Sequence, residues 1–357
     1  MADRGVRQRR PKLGEPGISF LLGRLLLVHR QRHGALRRDL EPERLELLHP
    51  AQLILDGDVG RAKRLVRVPQ NAAMLTHLAP QFRAILPATA LALMALEFGF
   101  ARFAGRATHD LRESAASLGV AAGQLAVRGV EVGVVAAPAA FVYAHRLFHF
   151  EETSWLALLG LFVGGEFLYY WQHRAAHRVR WFWASHSVHH SATRLNLTAA
   201  IRLGWTAKIS GMFLFFLPLA LIGYSPLLLT AMLGSNLAYQ FFIHTELAPR
   251  LGVLEWVLNT PTHHRVHHAA NQACLDRNFG GVLIVFDRLF GTFAAAPDGE
   301  PLRYGLIGES RTNNPVCIAL GGWAQLLSDL RNSGNPNRAF SVLLGPPGAL
   351  KTSKETS

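Results

Sequence analysis

The chain has 357 residues, of which 50% are apolar and only 17% charged, against the roughly 25% charged that is usual for soluble domains. With 21 Phe and 7 Trp to bury it is not a disordered chain, and 2 Cys are too few for a disulfide scaffold. The net charge of +13 carries no nucleic-acid signal, because residues 1–70 alone hold 15 Lys/Arg against 8 Asp/Glu, over half of the excess. The figure that stands out is 17 His, ten of which lie between His173 and His268. The composition reads as an integral membrane protein with a histidine cluster.

In chain order, residues 1–73 form a basic extension. Its apolar run at 18–28 is broken by Arg24 and is not followed by a small-residue cleavage site, so it is no signal peptide. Two readings stand side by side: a basic segment on the cytoplasmic surface near anionic lipid, or a stretch that precedes a true start at Met74. Neither gives it a chemical role. Residues 84–100 are the first apolar run long enough to cross the roughly 30 Å hydrocarbon core. Residues 132–148 are the second, and 155–172, which ends in aromatics suited to a membrane interface, the third. Residues 74–150 are thus expected to be N-terminal spans. After a polar stretch at 173–206, residues 209–243 are nearly uncharged and broken at Gly223, Tyr224, Ser225 and Pro226. This pattern predicts a hairpin of two short runs whose ends emerge on the same side. Beyond Pro249 the chain is soluble in character, and residues 296–357 read as a loosely patterned tail.

The histidines fall into three boxes: HRAAH at 173–177, HSVHH at 186–190 and HRVHH at 264–268. Positions i, i+3 and i+4 share one helix face, so each box points two or three imidazoles in one direction. His173, His177, His186, His189, His190, His264, His267 and His268, with His244 at the end of the hairpin, make nine candidate ligands. One ion takes four to six ligands, so nine imply two metals. All-imidazole sites suit Zn, Fe, Cu or Ni. His263 lies off the shared face and reads as a packing residue. His145 and His149 sit at the far end of the preceding span and read as non-ligands. The topology puts the boxes on one side of the membrane. The loops there carry Arg174, Arg178, Arg180, Arg194, Arg202 and Lys208, which makes it the cytoplasmic side.

The strings EFLYYWQHRAAH (166–177), HSVHHS (186–191), NTPTHHRVHH (259–268), NFGG (278–281) and FDRLFGT (286–292) resemble the fatty acid hydroxylase/sterol desaturase superfamily, over about residues 155–293. Tyr304-Gly-Leu and Asn314-Pro315 fit it more loosely. The sequence departs from the family pattern at Gln240, where some members carry a further His, at Phe286, where Trp is frequent, and at Glu166, where Asp is commoner. The resemblance implies an all-α membrane bundle with a cytosolic helical cap, residues 151–295 forming the histidine-box domain. It also implies a di-iron oxygenase that uses O2 to hydroxylate or desaturate a lipid C–H bond. Fatty acids, sterols, carotenoids and ether lipids are all handled by this superfamily. Breaking such a bond needs a stronger oxidant than any side chain, so the metals carry the chemistry. Glu166, Asn278 and Asp287 are the expected groups that orient imidazole N–H donors, although for Asp287 a surface salt bridge or helix cap weighs equally. With no cytochrome b5-like or ferredoxin segment in view, electrons are expected from a separate protein of that kind. A metal-handling membrane protein, such as a transporter or zinc-binding module, is the alternative; it would need polar groups deep in the spans, where only Glu97, Arg128 and Glu131 interrupt the apolar runs. A zinc hydrolase would need only three ligands and an open site.

Overall fold

A computed structural model describes residues 70–308 and 311–347, with side chains from residue 85 onward. The basic extension expected at residues 1–73 lies outside the described residues, save for the last few positions of its backbone. Among the described residues the secondary structure is helical, with two isolated bridges in place of any sheet. The helices are α1 (Gln70–Phe103), α2 (Leu111–Ala144), α3 (Trp155–Arg178), α4 (Arg180–His190), α5 (Leu197–Ala200), α6 (Leu217–Ile222), α7 (Pro226–Ile243), α8 (Pro261–His268), α9 (Val285–Leu289), α10 (Pro315–Arg331) and α11 (Pro336–Leu344).

Local chemistry sets the boundaries. The Asp110 carboxylate accepts from Arg112 N and Glu113 N and caps α2. Ser154 caps α3, and Ser225 followed by Pro226 starts α7, a favoured pairing at a helix N-terminus. Between α3 and α4 only Val179 is extended (φ −114°, ψ 115°). That single break bends the chain so that the first two boxes, on separate helices, face one another.

Among the described residues, three helical segments are long and apolar enough to cross a membrane: Ile85–Phe103, Leu111–Ala144 and Pro226–Ile243, with mean hydropathies of 1.4, 1.7 and 1.3. Only 11–22% of each apolar window is buried inside protein, so their greasy surface is left for lipid. The expected span at 84–100 falls in α1. The one expected at 132–148 is corrected: α2 begins at Leu111, because the Ala-rich stretch before residue 132 continues the helix, and it ends at Ala144. The third expected span is also corrected. The first half of α3 is exposed and apolar, but Glu166 and Tyr170 in its second half are buried in protein, and α3 is not among the three. The hairpin is likewise uneven, since its first limb is a 3₁₀ turn at Met212–Phe216 running into the short α6. Its tip bonds to the α2–α3 connection, through Leu147 N to Leu221 O at 2.7 Å and Tyr224 OH to Ala157 O at 2.9 Å. The hairpin therefore runs the length of the apolar part of α3 and returns.

Apolar clusters tie these layers together. Leu161, Leu219, Ala220, Tyr224 and Leu229 join α3, α6 and α7, while Ala116, Val120, Val188 and Ile318 join α2, α4 and α10. Residues 296–357 are not a loose tail where described. Within them, α10 and α11 pack on the second-box helix through Ala184, Leu326 and Val342. Gly322 makes this approach possible, because a Cβ there would lie 2.6 Å from Ala184 O. Gly322→Val should therefore overpack the α4–α10 contact and cost about 1–3 kcal/mol, read as a lower midpoint of thermal unfolding in detergent; an unchanged midpoint would refute the contact.

Candidate metal centre

The three boxes and His244 converge. His173, His177, His186, His190 and His267 form one group and His189, His244, His264 and His268 a second, with the ligand atoms of each within 4.8 Å of one another. All nine are buried except His186, which is half-buried. The adjacent pairs His189/His190 and His267/His268 are divided between the groups. Neighbours on a helix point about 100° apart, so each pair straddles the boundary and serves both sides. The groups touch where His190 stacks on His268, ring centroids 4.4 Å apart.

In the second group the Nε2 atoms of His244 and His264 are 2.9 Å apart, those of His189 and His244 3.1 Å, and those of His268 and His244 3.2 Å. In the first, His173 and His186 bring their Nε2 atoms to 3.0 Å. The far side of several rings shows which nitrogen carries the proton. His173 and His267 donate Nδ1–H to the carbonyls of Phe279 and Arg277, both at 2.8 Å. His244 donates to Gln240 O at 2.6 Å and His189 to Arg202 O at 3.3 Å. A neutral imidazole that donates through Nδ1 has only a lone pair at Nε2, so the His189–His244 contact sets lone pair against lone pair. The Nε2 atoms of His177, His190 and His267 are buried without any partner. Such orphaned acceptors are rare in native proteins, and a shared cation satisfies them. Bonds of about 2.0–2.1 Å to one ion put ligand nitrogens roughly 3.0–3.4 Å apart, in keeping with the observed spacings.

Burial keeps the rings unprotonated. It lowers the pKa of His173, with a further contribution from His177, to about 3, and that of His244 to about 4. His186, His189, His190, His264, His267 and His268 are held well below the ordinary value by burial and then by neighbouring imidazoles. Neutral rings are the metal-binding form.

The supporting groups differ from those expected. Glu166, Asn278 and Asp287 touch no imidazole nitrogen; they act through backbone. Asp287 accepts Phe279 N and Gly280 N, each at 2.7 Å, and Thr292 Oγ1 at 2.7 Å, and so fixes the carbonyl that holds His173. It is buried, neither a surface salt bridge nor a cap. Asn278, left-handed at φ 58°, donates to His263 O and Ala294 O. Glu166 accepts Val282 N, Leu283 N and Asn236 Nδ2. Gln240, at the position of a possible further ligand, instead donates to Asn236 Oδ1 and accepts from Tyr169 OH.

Several supports carry no spacing signal. Asp276 lies 3.7 Å from His177 Nδ1 and 2.8 Å from Arg178. The Arg202 carbonyl orients His189, while its own buried guanidinium donates to Ser117, Ser191 and Glu113 O. Arg202 is thus an internal strut, and the reading of it as a loop charge at the membrane surface is corrected. Glu97 was legible as an acid interrupting an apolar run, itself a flag in a membrane helix. It accepts Leu197 N at 2.7 Å and Thr245 Oγ1 at 2.6 Å, anchoring the residue after His244. His145 bonds Phe141 O at the opposite end of α3, His149 is exposed, and His263 packs on Phe293; none joins either group. A cavity of about 490 Å³, lined by Ser187, Ser191, Arg194, Tyr304 and Arg311 among others, includes no member of either group.

Residues 157–292 match the fatty acid hydroxylase family. The chain is similar to an alkylglycerol monooxygenase of Danio rerio, 45% identical over 51% of this chain and 40% of that protein. It is similar to the alkylglycerol monooxygenase of Homo sapiens, 40% identical over 57% of this chain and 45% of the relative. It is also similar to an ornithine lipid hydroxylase of Rhizobium tropici, 30% identical over 57% and 59%. The chain spans about half the length of the relatives it matches. No solved structure matches it.

Glu97→Ala should strand Leu197 N and Thr245, costing about 1–3 kcal/mol, and should lower metal retention through His244. Thermal unfolding and metal analysis after dialysis check both; full metal retention would remove the anchoring role.

Proposed function

We infer that this chain, which belongs to the fatty acid hydroxylase family through residues 157–292, is a membrane-bound di-iron oxygenase that hydroxylates a lipid C–H bond. The observation that carries this reading is the pair of adjacent, neutral imidazole groups with orphaned buried Nε2 atoms. His173, His177, His186, His190 and His267 would hold one iron and His189, His244, His264 and His268 the other. Bound there, two irons supply the activation of O2 that attack on an unactivated C–H bond requires.

The chain's own residues do the rest. The carbonyls of Phe279, Arg202, Gln240 and Arg277 fix the rings, as metal-bound His requires. The two histidine groups, all imidazole with no carboxylate among them, would hold the irons without neutralising their charge. The centre sits at the ends of α3 and α7, where a lipid bound among the apolar helices presents its chain. Arg174, Arg178 and Arg194 near the boxes support a cytoplasmic placement. Electrons would come from a separate ferredoxin- or cytochrome b5-like donor. Alkylglycerols are the substrate class we propose, on the names of the 40–45% identical relatives. The metal-handling alternative is not favoured, because the buried acids of the helices are engaged by protein: Glu97 by Leu197 and Thr245, Glu131 by Lys208 and Gln124, Glu166 by Asn236.

Purified protein should bind about two irons per chain, given the usual ligand count of an iron site. His177→Ala should deplete the first group and His268→Ala the second, each abolishing oxygen-dependent conversion of an alkylglycerol supplied with reduced donor. More than half of the activity retained in both variants would sink the di-iron assignment. Oxygen-dependent turnover of an ornithine lipid or a fatty acid, with alkylglycerol inert, would leave the oxygenase and overturn the substrate class.

A further inference from the structure

The turn after α7 is soluble by composition but not by its surface. In the 3₁₀ segment Gly252–Trp256 no residue is buried. Val253 is 81% exposed, Trp256 68%, Leu254 51% and Val257 50%, and Leu289 at the end of α9 is 71% exposed. These five side chains lie on one rigid unit. Ile284 N donates to Val257 O at 2.9 Å and Asn259 N to Val282 O at 2.8 Å, Arg288 donates to Glu255 O, and its guanidinium lies 4.8 Å over the Trp256 ring. A water-facing turn gains nothing from this apolar set, and contiguous exposed apolar patches mark interaction surfaces.

Two independent rulers give its depth. Residues 282 and 283 are held by Glu166, seven positions before His173 on α3. Glu166 in turn is held by Asn236, eight positions before His244 on α7. At ~1.5 Å per residue both helices place this level roughly 10–12 Å below the metal ligands, on the membrane side. Packing of α9 on α3 agrees, since Phe286 meets Phe167, six positions before His173, edge-on and Phe290 packs tilted against it. Phe242, near the end of α7, is likewise apolar and 57% exposed. Arg250 and Arg288 flank it, and Trp256 is an aromatic type favoured at the bilayer interface.

We propose that residues 251–257 and Leu289 are a monotopic anchor embedded in the cytoplasm-facing leaflet, its occupant the lipid itself. The anchor holds the centre against the leaflet through the loop between α7 and α8. This rests on the membrane placement of α7 and not on the oxygenase reading, so it stands or falls separately from iron and turnover.

The test uses the full chain in phosphatidylcholine nanodiscs. On a Cys317→Ser background, with Cys274 buried, a nitroxide is attached through Val253→Cys, and its collisions with O2 and with a water-soluble nickel chelate are compared. Phe242→Cys gives the lipid-facing reference and Glu300→Cys, on an exposed loop, the aqueous one. The Val253 label should favour O2 over nickel several-fold more than the Glu300 label does and should match Phe242; Leu254→Cys, measured in parallel, should agree. Nickel collisions equal to those at Glu300 would overturn the anchor. So would a label shielded from both reagents, which would mean a protein partner or second copy covers the patch. A Phe242 label that itself behaves as aqueous would overturn the membrane placement and the anchor with it.

Discussion

Buried imidazoles kept neutral, with their lone pairs turned inward, are the constraint around which the rest is arranged. His189 and His244, whose Nε2 atoms face one another at 3.1 Å with both protons on Nδ1, repel unless a cation lies between them, so the protein needs rigid supports to bring such rings together. Those supports are mostly main-chain carbonyls, which cannot titrate and cannot compete as ligands. Because His189/His190 and His267/His268 each divide between the groups, helix geometry itself sets the separation of the two sites. Shifting the register of α4 or α8 by one residue would disorder both sites together.

The acids of the fold take no place in either imidazole group. Glu97, Glu166 and Asp287 are each buried and each accept backbone N–H groups from a segment bearing or contacting a ligand. Hydrogen bonds to a charged acceptor contribute more than neutral ones, about 1.5–3 kcal/mol, and here they join residues far apart in sequence. Carboxylates thus stiffen the loops while the donor set stays wholly imidazole. This division of labour explains why acids interrupt the apolar helices while both histidine groups are free of them.

Much of this was legible beforehand. Boxes at i, i+3 and i+4 on helices put their rings on one face, which marked eight histidines, and the end of the hairpin added His244. How they partition was not legible, because it depends on the one-residue break at Val179 and on the divergence of adjacent side chains. Residues 111–131 were not read as part of a span because Arg and Glu dilute their hydropathy, yet they belong to the same helix, α2. Residues 315–344 fell within what read as a loosely patterned tail, and their role appears once α4 gives them a face to pack on. Asp276 and the Arg202 carbonyl had no local signal, since tertiary contact alone brings them to the rings.

The length of α2 has a mechanical consequence. Its 34 residues make a rod of roughly 50 Å, well beyond the roughly 30 Å of a hydrocarbon core. Lys208 on buried Glu131 marks the collar where the rod leaves lipid, and Glu113 and Ser117 near its free end grip Arg202. Helices answer a thinner or thicker bilayer by tilting. Tilting this rod swings its free end most, moving Arg202 and, through its carbonyl, His189. A tilt of α2 would therefore reach the four-imidazole group through Arg202, which ties that group mechanically to one of the long apolar helices.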